Sequence, residues 1–266
     1  MAVKTKRKTK KKASKKPPIK VKLNILIPAA AVCVIVAVIV SLVIIKTSSP
    51  HQEIYSFDKE IAQGVDISEH NGEVDWYKLK EEFDFAFIRV GCRGYGTGDI
   101  IEDKRARENL EQANKAGMPV GIYFYTQAVT AEEAAKEASF AISIAKHYDV
   151  QLPVMIDFEF PCDSRGNRTG RLTDGRFSAM EHSEIINGFL EKVKSKGYSY
   201  GVYASSSVFA NEIDLKELSK GAVIWTAQYS SSVTYDINYN IWQYSEKGKT
   251  KAVSSKYVDL NYWYTK

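Results

Sequence analysis

The sequence predicts an α/β fold: an incomplete, TIM-like β/α barrel of five β-α units followed by three strands, preceded by one transmembrane helix. Three observations predict it. From residue 64 onward, short runs rich in Val, Ile, Phe and Tyr alternate with segments of helical periodicity. After about residue 220 the strand-like runs continue and the helical segments stop. Near the N-terminus, residues 23–45 form a long uncharged apolar run unlike anything else in the chain.

The elements follow in order. The first five strands are expected at GVDIS (64–68), FAFIRVG (85–91), VGIYFYT (120–126), PVMIDFEF (153–160) and YGVYAS (200–205). The first helix starts near Asp75, with Trp76, Leu79 and Phe83 on one face. The second, about 103–116, ends at Gly117, a residue suited to the left-handed C′ position. The third opens with Thr130 as N-cap and Glu133 three residues later, a capping box. The fourth, about 178–196, ends at Gly197, and a short helical piece is expected around 206–220.

AVIWTAQY (222–229), IWQYS (241–245) and YVDLNYW (257–263) complete a set of eight strands. The segments between these three are turn-like. Repeated β-α units imply a parallel sheet with helices outside, and eight strands imply closure. About 200 residues is the low end for such a barrel, as the missing last helices require. Residues 63–266 therefore read as one domain.

The charge is divided. The net charge is +5, yet the first 46 residues hold 12 Lys/Arg and neither Asp nor Glu, leaving 25 basic against 32 acidic residues in 47–266. Residues 1–22 read as a basic cytoplasmic tail, 23–45 as the transmembrane helix, and 46–62 as a short extracytoplasmic tether. A helix of that length rises about 34 Å, enough to cross a bilayer core. Pro28 lies near its start, where a missing N–H costs little. A cleaved signal peptide has a shorter apolar run and a small-residue cleavage site. Flanking lysines on the cytoplasmic side follow the positive-inside rule and attract anionic lipid, so no nucleic-acid partner is expected. The extended tether reaches at most about 60 Å, which keeps the body near the membrane or in the inner wall layer.

Cys33 falls in the apolar run, while Cys92 and Cys162 lie in the body, as a disulfide or as two free thiols. The histidines, His51, His70, His147 and His182, lack metal-ligand spacing, and no metal or cofactor is expected. GCRGYGTG (91–98) has no helix directly behind it, as a phosphate-binding loop requires, and reads as a mobile loop at the mouth. NRT (167–169) is a glycosylation sequon, relevant only in a eukaryotic secretory pathway.

The chemistry centres on PVMIDFEF. Alternation puts Asp157 and Glu159 on one face with Met155, and Ile156, Phe158 and Phe160 on the other. The outer face of a barrel strand meets apolar helices, so the carboxylates point inward at the C-terminal end, where active sites of such barrels lie. The same parity sends Asp66, Arg89, Tyr123, Tyr125, Trp225, Tyr229, Asp259 and Gln243 toward that mouth. Carboxylates ringed by Tyr and Trp suit a sugar. Glycoside cleavage needs one protonated acid and one group that stabilises positive charge at the anomeric carbon. Asp157 beside Glu159 is expected to hold the proton on Glu159. For Asp259, and for any lone inward Asp, a structural pairing, with Arg89 available as partner, stands beside the functional role. Trp242 and Trp263 read as packing residues.

GVDISEHNGEVDW, FAFIRVG with its glycine loop, AGMPVGIYFY, PVMIDFE, WTAQY, IWQYS and VDLN occur in this order. Together they resemble the family 25 glycoside hydrolases, lysozymes of the Chalaropsis and cellosyl type, over about 64–266. The resemblance implies cleavage of the β-1,4 bond between N-acetylmuramic acid and N-acetylglucosamine in peptidoglycan. It implies Glu159 as general acid, Asp157 as second carboxylate, and Asp66 and Asp259 as the other acidic positions. Tyr125, Trp225 and Tyr229 match its aromatic sugar contacts. In the second step either the substrate's 2-acetamido oxygen, oriented by Asp157, or a carboxylate attacks. Two features depart from the common pattern: Cys92 in the glycine loop, and the polar insertion PCDSRGNRTGRLTDG (161–175), placed to line the cleft.

The expected protein is a bacterial membrane-anchored muramidase acting on peptidoglycan glycan strands. Its expected setting is wall remodelling, or local wall opening for a wall-spanning secretion or conjugation machine. The rival readings are a non-catalytic glycan-binding module on the same fold, and a glycosidase of other specificity, such as an endo-N-acetylglucosaminidase or chitinase. Retention of all four acidic positions argues against the binding module.

Overall fold

The computed structural model describes residues 55–265. The basic tail 1–22, the expected span 23–45 and most of the tether, with Pro28, Cys33 and His51, lie outside the described residues. Among the described residues no helix is long and apolar enough to cross a membrane.

The elements run β1 (Ile61–Ile67), α1 (Trp76–Glu82), β2 (Phe85–Arg93), β3 (Ile100–Glu102), α2 (Ala106–Lys115), β4 (Val120–Tyr125), α3 (Ala131–Ala145) and β5 (Val154–Asp157). They continue with α4 (Arg171–Gly175), α5 (Ala179–Lys194), β6 (Tyr200–Ser205), α6 (Ser206–Glu212), β7 (Val223–Ala227), β8 (Ile241–Gly248) and β9 (Val258–Tyr264). β1, β2, β4, β5, β6, β7 and β8 pair in parallel in that order. β9 closes the barrel, antiparallel to both β8 and β1. The short β3 hangs on β2 as an antiparallel hairpin partner.

All eight expected strands are present, but the last runs against the others. Residues 249–257 are too few for the crossover of a dozen or more that a parallel return needs. The reversal has a functional result. β9 begins at the pole where the parallel strands end, so its second residue, Asp259, sits at the mouth.

The helix termini follow local chemistry. Asp75 caps α1 by accepting from Lys78 N at 3.2 Å, and Trp76 and Leu79 are the buried residues of that helix. Thr130 Oγ1 caps α3 from Glu133 N, while the Glu133 carboxylate reaches Val129 N, one residue before the cap. Ser178 and Glu181 form a full capping box on α5, an arrangement whose cap alone is worth about 1 kcal/mol. Gly117 and Gly197, at φ 69° and 82°, take the left-handed conformation expected of them. The piece after β6 stops at Glu212, and α4 and β3 are additions to the expected elements.

Two apolar layers hold the barrel. The outer one packs the helices on the strands, through residues such as Ile88, Phe124, Ile156 and Phe158. The inner one fills the barrel with Phe85, Phe87, Met155, Trp225, Ile241 and Trp263. Gly64 and Gly121 make this filling possible, because a Cβ on either would enter the ring of Phe85 or Phe87. Phe57 packs on Phe85 and Trp263, each with ring centroids 5.6 Å apart. The domain therefore starts before residue 63, with part of the expected tether packed at the N-terminal pole, opposite the mouth.

Candidate active site

β5 ends at Asp157, so Glu159 is not on the strand as expected. Phe158 N still donates to Tyr203 O at 2.8 Å, and Gln127 Nε2 donates to Glu159 O at 3.0 Å. These two bonds carry the chain past the strand end with Glu159 still facing the mouth. All ten expected site residues, Asp66, Arg89, Tyr123, Tyr125, Asp157, Glu159, Trp225, Tyr229, Gln243 and Asp259, line one cavity of about 410 Å³. That volume is within the usual range for small-molecule sites, about 300–1,000 Å³.

The carboxylates are linked. Asp66 and Asp259 are cross-strand partners on β1 and β9. Asp66 Oδ2 accepts from Gln243 Nε2 and Asn261 Nδ2, both at 2.9 Å. Burial pushes the Asp66 carboxyl up, and the hydrogen bonds from Asn261, Gln243 and Asp259 pull it back. Asp259 is pushed up to about 8 by burial and then by the charge and hydrogen bond of Asp66. Near neutral pH, Asp259 is the member that keeps the proton.

Asp157 is pushed well above the usual carboxylate range, first by burial, then by Glu159 and Asp66, with Arg89 opposing. Its Oδ1 is buried and has no hydrogen-bond partner. Glu159 is raised by burial and by Asp66, against a hydrogen bond from Tyr203. The expected division of labour is corrected here. Burial, rather than the charge of Asp157, is the main cause that raises the Glu159 carboxyl. The repulsion within the pair shows on Asp157 instead.

Gln243 is the hub between the groups. Its amide nitrogen serves Asp66, and its Oε1 accepts from Tyr229 Oη at 3.0 Å and lies 2.8 Å from Tyr203 Oη, whose one hydrogen goes either to Gln243 or to ionised Glu159. Tyr203 therefore stands between Gln243 and Glu159. Tyr229 is about half exposed at the rim, and Tyr123 and Tyr125 are half-buried in the wall.

Two expected sugar contacts have other work. Trp225 is 1% exposed, donates from Nε1 to Asn261 Oδ1 at 2.8 Å, and has Phe87 at 4.6 Å. It is the floor of the cavity, not a stacking platform. Arg89 reaches the cavity but is committed to Asp103 at 2.8 Å and Glu69 at 3.4 Å. Trp242 and Trp263 are buried packing residues, as expected.

The glycine segment is a hairpin tied at its base. Arg93 Nη1 donates to Gly98 O at 2.6 Å, and Arg93 Nε to Glu137 Oε1 at 2.5 Å. Tyr95, at the tip, is exposed. Cys92 and Cys162 are both free thiols.

A family model described as Glycosyl hydrolases family 25 matches residues 65–253. The chain belongs to this family. A lysozyme of Lactococcus phage mv1 is 27% identical over 111 residues, which are 40% of this chain and 52% of that protein. The modular autolysin LytC from Streptococcus pneumoniae, solved in complex with a synthetic peptidoglycan ligand, is 27% identical with a TM-score of 0.65, over 77% of this chain and 47% of that one. The chain thus spans about half the length of both. A family 25 glycosyl hydrolase from Bacillus anthracis shares the fold at 24% identity and TM-score 0.62, over 80% of this chain and 94% of that one.

Sequence reasoning missed several residues of this family 25 site. Ser68, Asn71, Tyr203, Ser255 and Tyr257 also line the cavity, and Asn261 holds both Asp66 and Trp225. Parity could have found four of them. Tyr257 and Asn261 lie two residues either side of Asp259, Ser68 lies two residues after Asp66 in GVDIS, and Tyr203 is on the inner face of YGVYAS. Asn71 and Ser255 lie outside the strands, where alternation carries no signal.

Proposed function

We propose that this protein is a muramidase of the Chalaropsis type. It cleaves the β-1,4 bond between N-acetylmuramic acid and N-acetylglucosamine from an anchor in the bacterial cell membrane. The observation that carries the reading is one cavity holding Glu159, its carboxyl raised by burial, beside Asp157, Asp66 and Asp259. Similarity to an autolysin solved with a peptidoglycan ligand supports the substrate class.

In this mechanism Glu159 donates its proton to the glycosidic oxygen as the bond to the anomeric carbon breaks. Positive charge grows opposite the aspartates. Asp157 Oδ1, buried without a partner, accepts the N–H of the sugar's 2-acetamido group. The acetamido oxygen closes on the anomeric carbon, and a water deprotonated by ionised Glu159 opens the ring again. Asp66, held by Gln243 and Asn261, and protonated Asp259 fix the sugar.

The 12 basic residues and the uncharged run 23–45 support a single pass with the N-terminus cytoplasmic and the body extracytoplasmic. That place suits wall remodelling or local opening for a wall-spanning secretion or conjugation machine. Two measurements test the reading. Glu159→Gln should abolish release of soluble fragments from purified peptidoglycan, and full release would remove Glu159 as the acid. Protease added to wall-stripped cells should digest the body and spare the tail; a protected body would reverse the topology.

A further inference from the structure

A second cavity of about 260 Å³ adjoins the first and shares Tyr125 and Glu159 with it. The three aspartates that face developing positive charge all line the first cavity. That cavity therefore takes the sugar whose anomeric carbon reacts. The acid stands at the boundary, so the second cavity lies on the leaving-group side.

Its walls come from two places. Phe160, Pro161 and Arg168 belong to the end of the catalytic segment and the polar insertion after it, while Ser205 ends β6 and Ser207 and Val208 belong to the start of α6. Arg168 is seated. Its guanidinium carbon lies 4.2 Å from the centroid of Phe160, and its Nη1 is 2.5 Å from Glu212 Oε1. Its side chain is 44% exposed. The guanidinium's other nitrogens make no hydrogen bond among the described residues, so donors remain beside an apolar wall. Ser205 and Ser207 hydroxyls, 3.0 Å apart, add polar groups opposite.

The geometry points to a leaving-side subsite for a 2-acetamido sugar, in which Arg168 is the specificity-determining residue. The acetamido methyl meets Val208 and Pro161, and its carbonyl oxygen accepts from Arg168. This rests on the muramidase reading, which makes the leaving unit an N-acetylglucosamine.

The test uses the full chain, wild type and Arg168→Ala, on two substrates. One is intact peptidoglycan. The other is peptidoglycan whose glucosamine units alone have been N-deacetylated. A lost hydrogen bond from a charged donor predicts a KM increase of about tenfold on the acetylated glycan. The kcat should change little, and the two proteins should behave alike on the deacetylated glycan. Arg168→Lys, which keeps the charge and loses the planar fork, should fall between them. Unchanged KM in Arg168→Ala overturns the proposal, as does an equal loss on both substrates, the mark of a disturbed fold. A wild-type chain that cleaves neither substrate overturns the muramidase reading itself.

Discussion

Asp66 and Asp259 stand directly opposite each other on antiparallel neighbours at the barrel mouth, and burial raises both carboxyl groups, Asp259 further through the charge and hydrogen bond of Asp66. The contact exists only because β9 runs backward. A parallel last strand would have carried its residue 259 to the closed pole.

The proton on Asp259 sets a pH dependence of stability. Asp259 titrates at about 8 in the folded chain, against 3.8 ordinarily. Its stabilising contribution is complete below 3.8 and is lost as pH rises through 8. Asp259→Asn keeps a donor for Asp66 and removes the charge. The variant should melt above wild type at pH 8, by roughly 2–4 °C per kcal/mol relieved, with the gap closing toward pH 4. Melting curves across that range check it.

Tyr203→Phe should shift the activity profile. The Tyr203 hydroxyl lowers the Glu159 carboxyl by bonding its ionised form. Without it Glu159 keeps its proton to higher pH. The alkaline limb of kcat/KM should move up by roughly one unit, since a hydrogen bond to a charged group is worth about 1.5 kcal/mol or more and one unit is about 1.36 kcal/mol. A downward shift would contradict the role given to Tyr203.

Gln127 positions Glu159 through its backbone. Its Nε2 holds Glu159 O, and Arg171 Nη1 binds Gln127 O at 3.0 Å while pairing with Glu133 at 2.9 Å. Gln127→Leu should lower kcat by roughly 10–100-fold, the cost of a small misplacement of a reacting group, with KM little changed. A rise in KM at unchanged kcat would make Gln127 a binding residue instead.

Arg93→Met should be among the most destabilising single changes in the body. Glu137 is fully buried, and Arg93 and Thr126 are its hydrogen-bond partners. Loss of one partner of a buried ion pair costs about 3–5 kcal/mol. Denaturant unfolding checks the value, and a change below about 1 kcal/mol would mean the pair is solvated.

Much of this architecture was legible because period-2 alternation fixes which side chains face the barrel. Asp66, Asp157, Trp225 and Gln243 face inward as their strands predict. Alternation has no direction, so the reversal of β9 was hidden. Nor does it apply past a strand end: Glu159 faces the cavity through the bonds of its backbone neighbours, not through strand parity. Trp225 shows a third limit. A tryptophan of the right parity can sit at the rim or the floor, and the depth depends on Phe87 and Asn261, which come from distant strands. Arg89 has the parity of a mouth residue, but its partner Asp103 lies on a turn whose position periodicity does not give.

The central claim is that this cavity cuts the bond on the reducing side of N-acetylmuramic acid. The most direct measurement is the identity of new reducing ends after the full chain digests purified peptidoglycan, with Glu159→Gln as control. The account predicts muramic acid ends from wild type and none from the variant. Glucosamine ends, or equal release by both proteins, would contradict it.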